Sequence, residues 1–252
     1  MDLKLKGQKA LITGGTKGIG RAIADTLAAE GCDVAICART AADVDAAVAA
    51  LRAMGVRATG KGLDVGDGEA LKAWIKAAAE ELGGLDILVS NVSGAGAQGE
   101  AGWKSNFEYD MLGAVRSVEA ALPFLSKSQN GNIIMISSTA ALEKFIQAGP
   151  YNAMKAALIQ YSGALSQDLG VKGIRVNTVS PGPIYVEGGS WGNIKKHMTA
   201  FYDATLAQIP LGRMGTASEV AAQVALLASP LAGFTTGTNV VIDGGITKRI
   251  QF

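Results

Sequence analysis

Short apolar runs rich in β-branched residues recur along the chain at 9–13, 33–38, 56–64, 85–90, 131–137, 173–179 and 238–242. Most of the intervals between them carry Ala-rich stretches with helical spacing. Runs of this length bounded by turn residues read as strands, and their alternation with helices predicts parallel β-α-β units. Near-continuous apolar character, as in Ile133-Ile134-Met135-Ile136 and Val240-Val241-Ile242, suits strands covered on both faces. The pattern predicts one α/β domain over residues 1–252, a doubly wound, seven-stranded parallel sheet with helices on both faces. One interval breaks the rhythm. Residues 184–209 form an insertion of the length that often makes a lid, with Gly188 and Gly189 as a hinge and Tyr185, Trp191, Met198, Phe201 and Tyr202 as contact groups. The alternative is that these aromatics pack the segment onto the body.

Composition narrows the partners. The 252 residues carry a formal net charge of +1 and no long basic run, so neither nucleic acid nor an anionic membrane is expected. Residues 1–10 hold no apolar signal core and no stretch reaches eighteen apolar residues, which implies a cytoplasmic, soluble protein. Cys32 and Cys37 match no metal spacing and read as small buried hydrophobes. His197, the only histidine, reads as a surface or lid residue, and no metal site is expected.

The chemistry concentrates in two places. At the N-terminus, the strand Lys9–Thr13 runs into Gly14-Gly15-Thr16-Lys17-Gly18-Ile19-Gly20 and then an apolar helical stretch. Glycines at 14, 18 and 20 permit a tight turn and let a pyrophosphate approach a helix N-terminus, as in Rossmann-like dinucleotide sites. The second strand ends in Ala38-Arg39, where an acidic residue would favour NAD(H). Arg39 and Lys17 place two cations where a 2′-phosphate sits, so NADP(H) is preferred and NAD(H) remains possible. Further along, Tyr151 and Lys155 lie four apart on one helical face, where an ammonium favours the ionised phenol. Ser138 lies upstream, behind the strand-forming run Ile133–Ile136. This set suits proton transfer to a carbonyl.

With these signals together, the chain from Lys6 to Gly245 closely resembles the short-chain dehydrogenase/reductase family, in the branch that contains 3-oxoacyl carrier-protein reductases. Further landmarks fall in order: Leu63-Asp64-Val65 at the adenine-contacting segment, Ser90-Asn91-Val92-Ser93-Gly94 after the fourth strand, and Pro181-Gly182 after the sixth. The resemblance implies that Tyr151 is the proton donor in reduction, that Ser138 polarises the carbonyl, and that Lys155 also binds the nicotinamide ribose. It implies a homotetramer built from helices near 100–126 and 150–169 and from the final strand, with Ile250-Gln251-Phe252 crossing the interface.

Two departures stand out. Asp110 replaces the family asparagine that holds a lysine-linked water, and an ionised carboxylate only accepts hydrogen bonds. Its expected role is to keep the relay by accepting from that water. Val186 stands where the family has a carboxamide-binding threonine, which leaves backbone near Ile184 to hold the nicotinamide. Phe145, Tyr185 and Trp191 are the expected substrate contacts, between walls that read as mainly apolar. The expected activity is hydride transfer between nicotinamide and a ketone or secondary alcohol. The alternatives are a 3-oxoacyl-thioester reductase, for which Lys144, Lys195 and Lys196 would provide a basic approach, and a dinucleotide-binding sensor without turnover.

Overall fold

In chain order the computed structural model forms β1 (Lys9–Thr13), α1 (Gly18–Ala29), β2 (Asp33–Ala38), α2 (Ala41–Ala53), β3 (Ala58–Gly62), α3 (Gly68–Leu82) and β4 (Ile87–Ser90). There follow α4 (Gly99–Asn106), a π turn (Phe107–Leu112), α5 (Gly113–Leu125), β5 (Asn132–Ile136), α6 (Pro150–Gly170) and β6 (Arg175–Pro181). The chain ends with β7 (Ile184–Tyr185), α7 (Ser190–His197), α8 (Thr199–Leu206), β8 (Gly215–Thr216), α9 (Ala217–Ala228) and β9 (Asn239–Ile242). Residues 2–94, 98–144 and 147–248 are described.

Seven strands pair in the order β3-β2-β1-β4-β5-β6-β9, all parallel, with Leu11 opposite Ala35 and Leu88, and Ile133 opposite Leu88 and Val176. Successive strand residues point to opposite faces, so each apolar run feeds two cores. Ile12, Ile36, Ile134 and Val179 meet α1, α2 and α9 on one face. Their neighbours Leu11, Ala35, Ile133 and Val176 meet α3, α5 and α6 on the other. This is the seven-stranded Rossmann-like sheet that the pattern predicts. Cys32 and Cys37 lie within these cores, where burial pushes each thiol up to about 12.

The edges differ from expectation. β3 is largely polar and half exposed, and every residue of β9 is only partly buried. Double coverage therefore holds for the central strands, whereas Val240-Val241-Ile242 border an open sheet edge. The helix expected near 100–126 is interrupted by the π turn, a wider coil that sequence period does not reveal.

Residues 184–209 leave the seven-stranded sheet, which the chain rejoins only at β9. β7 pairs with β8 through Ile184 and Gly215, tying both ends of the excursion together. Between them Trp191, Tyr202, Ile209 and Met214 make a small core of their own. Trp191 stacks on Phe201 with ring centroids 6.1 Å apart, and Tyr202 meets Trp191 edge-on. No helix among the described residues is long and apolar enough to cross a membrane.

Candidate active site

The carboxyl ends of β1, β4, β5 and β6 carry the glycine turn, Asn91, Ser138 and Pro181, and the strand order reverses between β1 and β4. Ligands of such sheets bind in the crevice outside these ends. Gly14 and Gly15 both donate to Cys37 O, at 2.9 and 3.2 Å, which bends the chain over β2. Gly14 has φ +71, and a Cβ on Gly20 would lie 2.2 Å from Gly14 O, so neither position admits a side chain freely. At Gly18 a Cβ would meet nothing within 4 Å. The turn is thus tight on its protein side and open on the other. Lys17 caps α1 without a side-chain hydrogen bond, which leaves first-turn amides for an anion. Thr16 is half-buried in the turn and Ile19 packs onto the sheet core. These residues fit a dinucleotide pyrophosphate.

The neighbouring groups brace this cradle. Asn91 donates from Nδ2 to Thr13 O at 2.9 Å and from its backbone N–H to Thr13 Oγ1 at 3.0 Å, so it supports the turn from behind. Arg39 is exposed and makes no ion pair among the described residues, while Lys17 Nζ lies 2.7 Å from Asp43 Oδ2. Part of the cationic pair expected for a 2′-phosphate is therefore already engaged. Val65 is buried beside Gly113, and Asp64 accepts hydrogen bonds from Gly66 N at 2.9 Å and from the Tyr109 hydroxyl at 3.0 Å. The hydrogen bond to Asp64 is the main reason that the Tyr109 phenol is held above its ordinary pKa.

Ser137 Oγ donates to Lys155 O at 2.8 Å and fastens α6 to the end of β5. Ser138, next in sequence, accepts from Ala140 N and lines a cavity of about 880 Å³ together with Tyr151. Lys155 lies behind them, buried, with Nζ 5.9 Å from the centre of the Tyr151 ring. Its ammonium donates to Ile136 O at 2.9 Å and meets Asp110 Oδ1 at 2.9 Å. The latter contact is an ion pair without hydrogen-bond alignment, since Oδ1 accepts no hydrogen bond from the described residues. Asp110 Oδ2 takes Gly94 N at 3.0 Å and Asn106 Nδ2 at 2.8 Å. The expected link through water is therefore replaced by direct contact between the two charges. Asn106, fully buried, was not a candidate from sequence; its spacing of four residues before Asp110 on a helix was the available signal.

The cavity walls are mixed: apolar surface is the larger share, as expected, but many polar side chains join it. Trp191, Ile194, Phe201 and Ile246 line it, but so do Gln98, Glu143, Asn152, Thr205, Gln208 and Thr247. The physical reason is that it gathers side chains from separate segments, including polar helix faces that in isolation read as solvated. Ser93, Gly94 and Gly182 also line it, and Gly182 N donates to Ile242 O at 2.8 Å. Pro181 and Ile184 are buried at the ends of β6 and β7. Tyr185 does not line the cavity: its ring lies 5.3 Å from Lys195 Nζ. Phe145 lies outside the described residues, as does Ile250-Gln251-Phe252. Among the described residues no group of three His, Cys, Asp or Glu side chains is placed to hold a metal.

Residues 14–247 match the family model described as enoyl-(acyl carrier protein) reductase. The chain is 40% identical, over 98% of both sequences, to isoepoxydon dehydrogenase patN of Penicillium expansum. Its fold is similar to that of L-sorbose reductase from Gluconobacter frateurii, solved with NADPH and L-sorbose, at TM-score 0.91 and 29% identity over 99% of this chain and 100% of the other. It is also similar, at TM-score 0.89 and 30% identity over 97% of this chain and 96% of the other, to a 7α-hydroxysteroid dehydrogenase solved with NADH and 7-oxo glycochenodeoxycholic acid. The sheet order, the glycine turn and these matches agree: the chain belongs to the short-chain dehydrogenase/reductase family and is an oxidoreductase of alcohols and ketones that uses a nicotinamide dinucleotide.

Proposed function

We propose that the protein uses NADP(H) and a Ser138–Tyr151–Lys155 mechanism on a small ketone or secondary alcohol that carries further oxygen functions. The observation that carries this reading is the cavity itself: Ser138 and Tyr151 share its wall, the buried Lys155 ammonium stands behind the tyrosine, and polar side chains are interspersed among the apolar ones that face them. The cofactor, when bound, supplies the hydride for reduction or accepts it in oxidation.

The protein's own groups handle the proton. Ser138 Oγ–H donates a hydrogen bond to the substrate carbonyl oxygen, making its carbon more electrophilic. As a hydride arrives at that carbon, the Tyr151 hydroxyl gives its proton to the oxygen, and the Lys155 ammonium stabilises the phenolate left behind. Oxidation runs the same transfers in reverse. The glycine turn holds the pyrophosphate and Arg39 the 2′-phosphate; Asp64, Val65, Asn91, Ser93, Pro181, Gly182 and Ile184 complete the cofactor cleft. Residues 184–209 act as the substrate lid, through Trp191 rather than Tyr185. Polar groups such as Gln98, Asn152 and Gln208 are placed to recognise hydroxyl or epoxide oxygens, a reading supported by the likeness to enzymes named for isoepoxydon and L-sorbose. The working assembly is a homotetramer.

A 3-oxoacyl thioester is the second reading, favoured by the name of the matching family model and by Lys144 and Lys248 at the cavity wall.

The test combines binding and turnover. NADPH is expected to bind at least tenfold more tightly than NADH, with the difference lost in Arg39→Ala. Turnover on hydroxylated or epoxidised cyclic ketones is expected to exceed that on acyl thioesters and to fall at least a thousandfold in Tyr151→Phe while NADPH binding persists. Undiminished turnover in Tyr151→Phe would refute the mechanism. A preference for thioesters would transfer the substrate assignment to the second reading.

A further inference from the structure

The π turn sends two adjacent side chains to different places in the cleft. Asp110 turns inward to Lys155, and Tyr109 reaches the segment after β3, where its hydroxyl donates to Asp64 Oδ2 at 3.0 Å. The receiving turn is shaped for this ring: a Cβ on Gly66 would lie 3.1 Å from both Cζ and the hydroxyl oxygen of Tyr109. Gly66 N holds the other carboxylate oxygen, Oδ1, at 2.9 Å. Asp64 is therefore fixed at both oxygens before any ligand arrives. A carboxylate has about four acceptor sites, so two remain for a donor from outside. Leu63 N donates to Ala38 O at 2.9 Å, which sets the Asp64 segment beside the end of β2 and Arg39, the adenosine end of the cleft in the cofactor reading given above.

We propose that Tyr109 is a positioning residue for the adenine base: by holding Asp64 Oδ2 it aims the carboxylate at the exocyclic amino group of the dinucleotide. This rests on the cofactor reading given above. The tyrosine touches no reacting atom. Its contribution is to spare the carboxylate an ordering cost on binding, and a half-exposed hydrogen bond of a charged group is worth about five- to tenfold in affinity.

The experiment compares NADPH with its 6-desamino analogue, in which purine replaces adenine, by fluorescence titration of the wild-type protein and of Tyr109→Phe, Asp64→Ala and the double variant. Thermal melting is recorded for each. Tyr109→Phe is expected to raise the Kd for NADPH five- to tenfold and the Kd for the analogue less than twofold, at unchanged kcat. In the Asp64→Ala background the tyrosine change is expected to have no further effect. Equal losses for the two dinucleotides, or no loss for NADPH, would overturn the role of Tyr109 while leaving the cofactor assignment intact. Failure of the wild-type protein to bind either dinucleotide would overturn both.

Discussion

A lysine ammonium out of water needs partners, and Lys155 has two, the Ile136 carbonyl and the Asp110 carboxylate. Removing one member of a buried pair leaves the other uncompensated, at a cost of about 3–5 kcal/mol. Asp110→Ala is accordingly expected to lose about that much stability in urea unfolding. Asp110→Asn keeps the shape and one acceptor, and its turnover is expected to stay within about tenfold of the parent. A thousandfold rise in turnover would show instead that the aspartate restrains the lysine. Sequence suggested Ser138, Tyr151 and Lys155 through their offsets from a strand and along a helix, and Asp110 only through the family resemblance. It did not reveal that Asp110 meets Lys155 directly, nor that Asn106 and Tyr109 join the network. Those contacts depend on how the π turn rotates its side chains, and three-dimensional rotation leaves no mark in residue spacing. Tyr185 shows the same gap in reverse: an aromatic within the expected lid whose ring lies by Lys195 and does not line the cavity.

At the scale of elements, the strands were legible because each buried run carries its own period and its own bounding turns. Less legible is how a helix ends. The final carbonyls of α9 have no partners within the helix, and sequence offers no C-terminal glycine at Ser229 to close it. Three side chains, from β5, from β6 and from the turn before β5, take over. Asn132 Nδ2 donates to Leu227 O at 2.6 Å, Asn130 Nδ2 to Ala228 O at 3.0 Å, and Arg175 to Leu227 O at 2.8 Å and Ser229 O at 3.2 Å. Burial lowers the pKa of Arg175, and no carboxylate among the described residues pairs with it. Its compensation is the negative end of the α9 dipole and this ring of carbonyls. Arg175→Met fits the same space but leaves Ser229 O without that donor. The expected loss is about 2–3 kcal/mol, read as a lower urea midpoint with an unchanged m value. An unchanged midpoint would mean that the asparagines close the helix unaided.

For the molecule as a whole, the two sheet edges are not equivalent. Beyond β9 lies open strand edge, with Phe234 fully exposed and Leu231 55% exposed nearby in sequence. An uncovered edge with apolar neighbours invites pairing with another copy. Light scattering is expected to report a particle four times the mass of the chain, and a monomer mass at micromolar concentration would refute the tetramer. The same central burial that leaves these edges bare hides both native thiols. Cys32 and Cys37, held up to about 12, present almost no thiolate at neutral pH. Met198, 56% exposed between α7 and α8, then becomes a clean attachment point. A dye on Met198→Cys, with the parent cysteines left in place, is expected to change its emission when substrate is added, and a constant emission would count against a lid in these two helices.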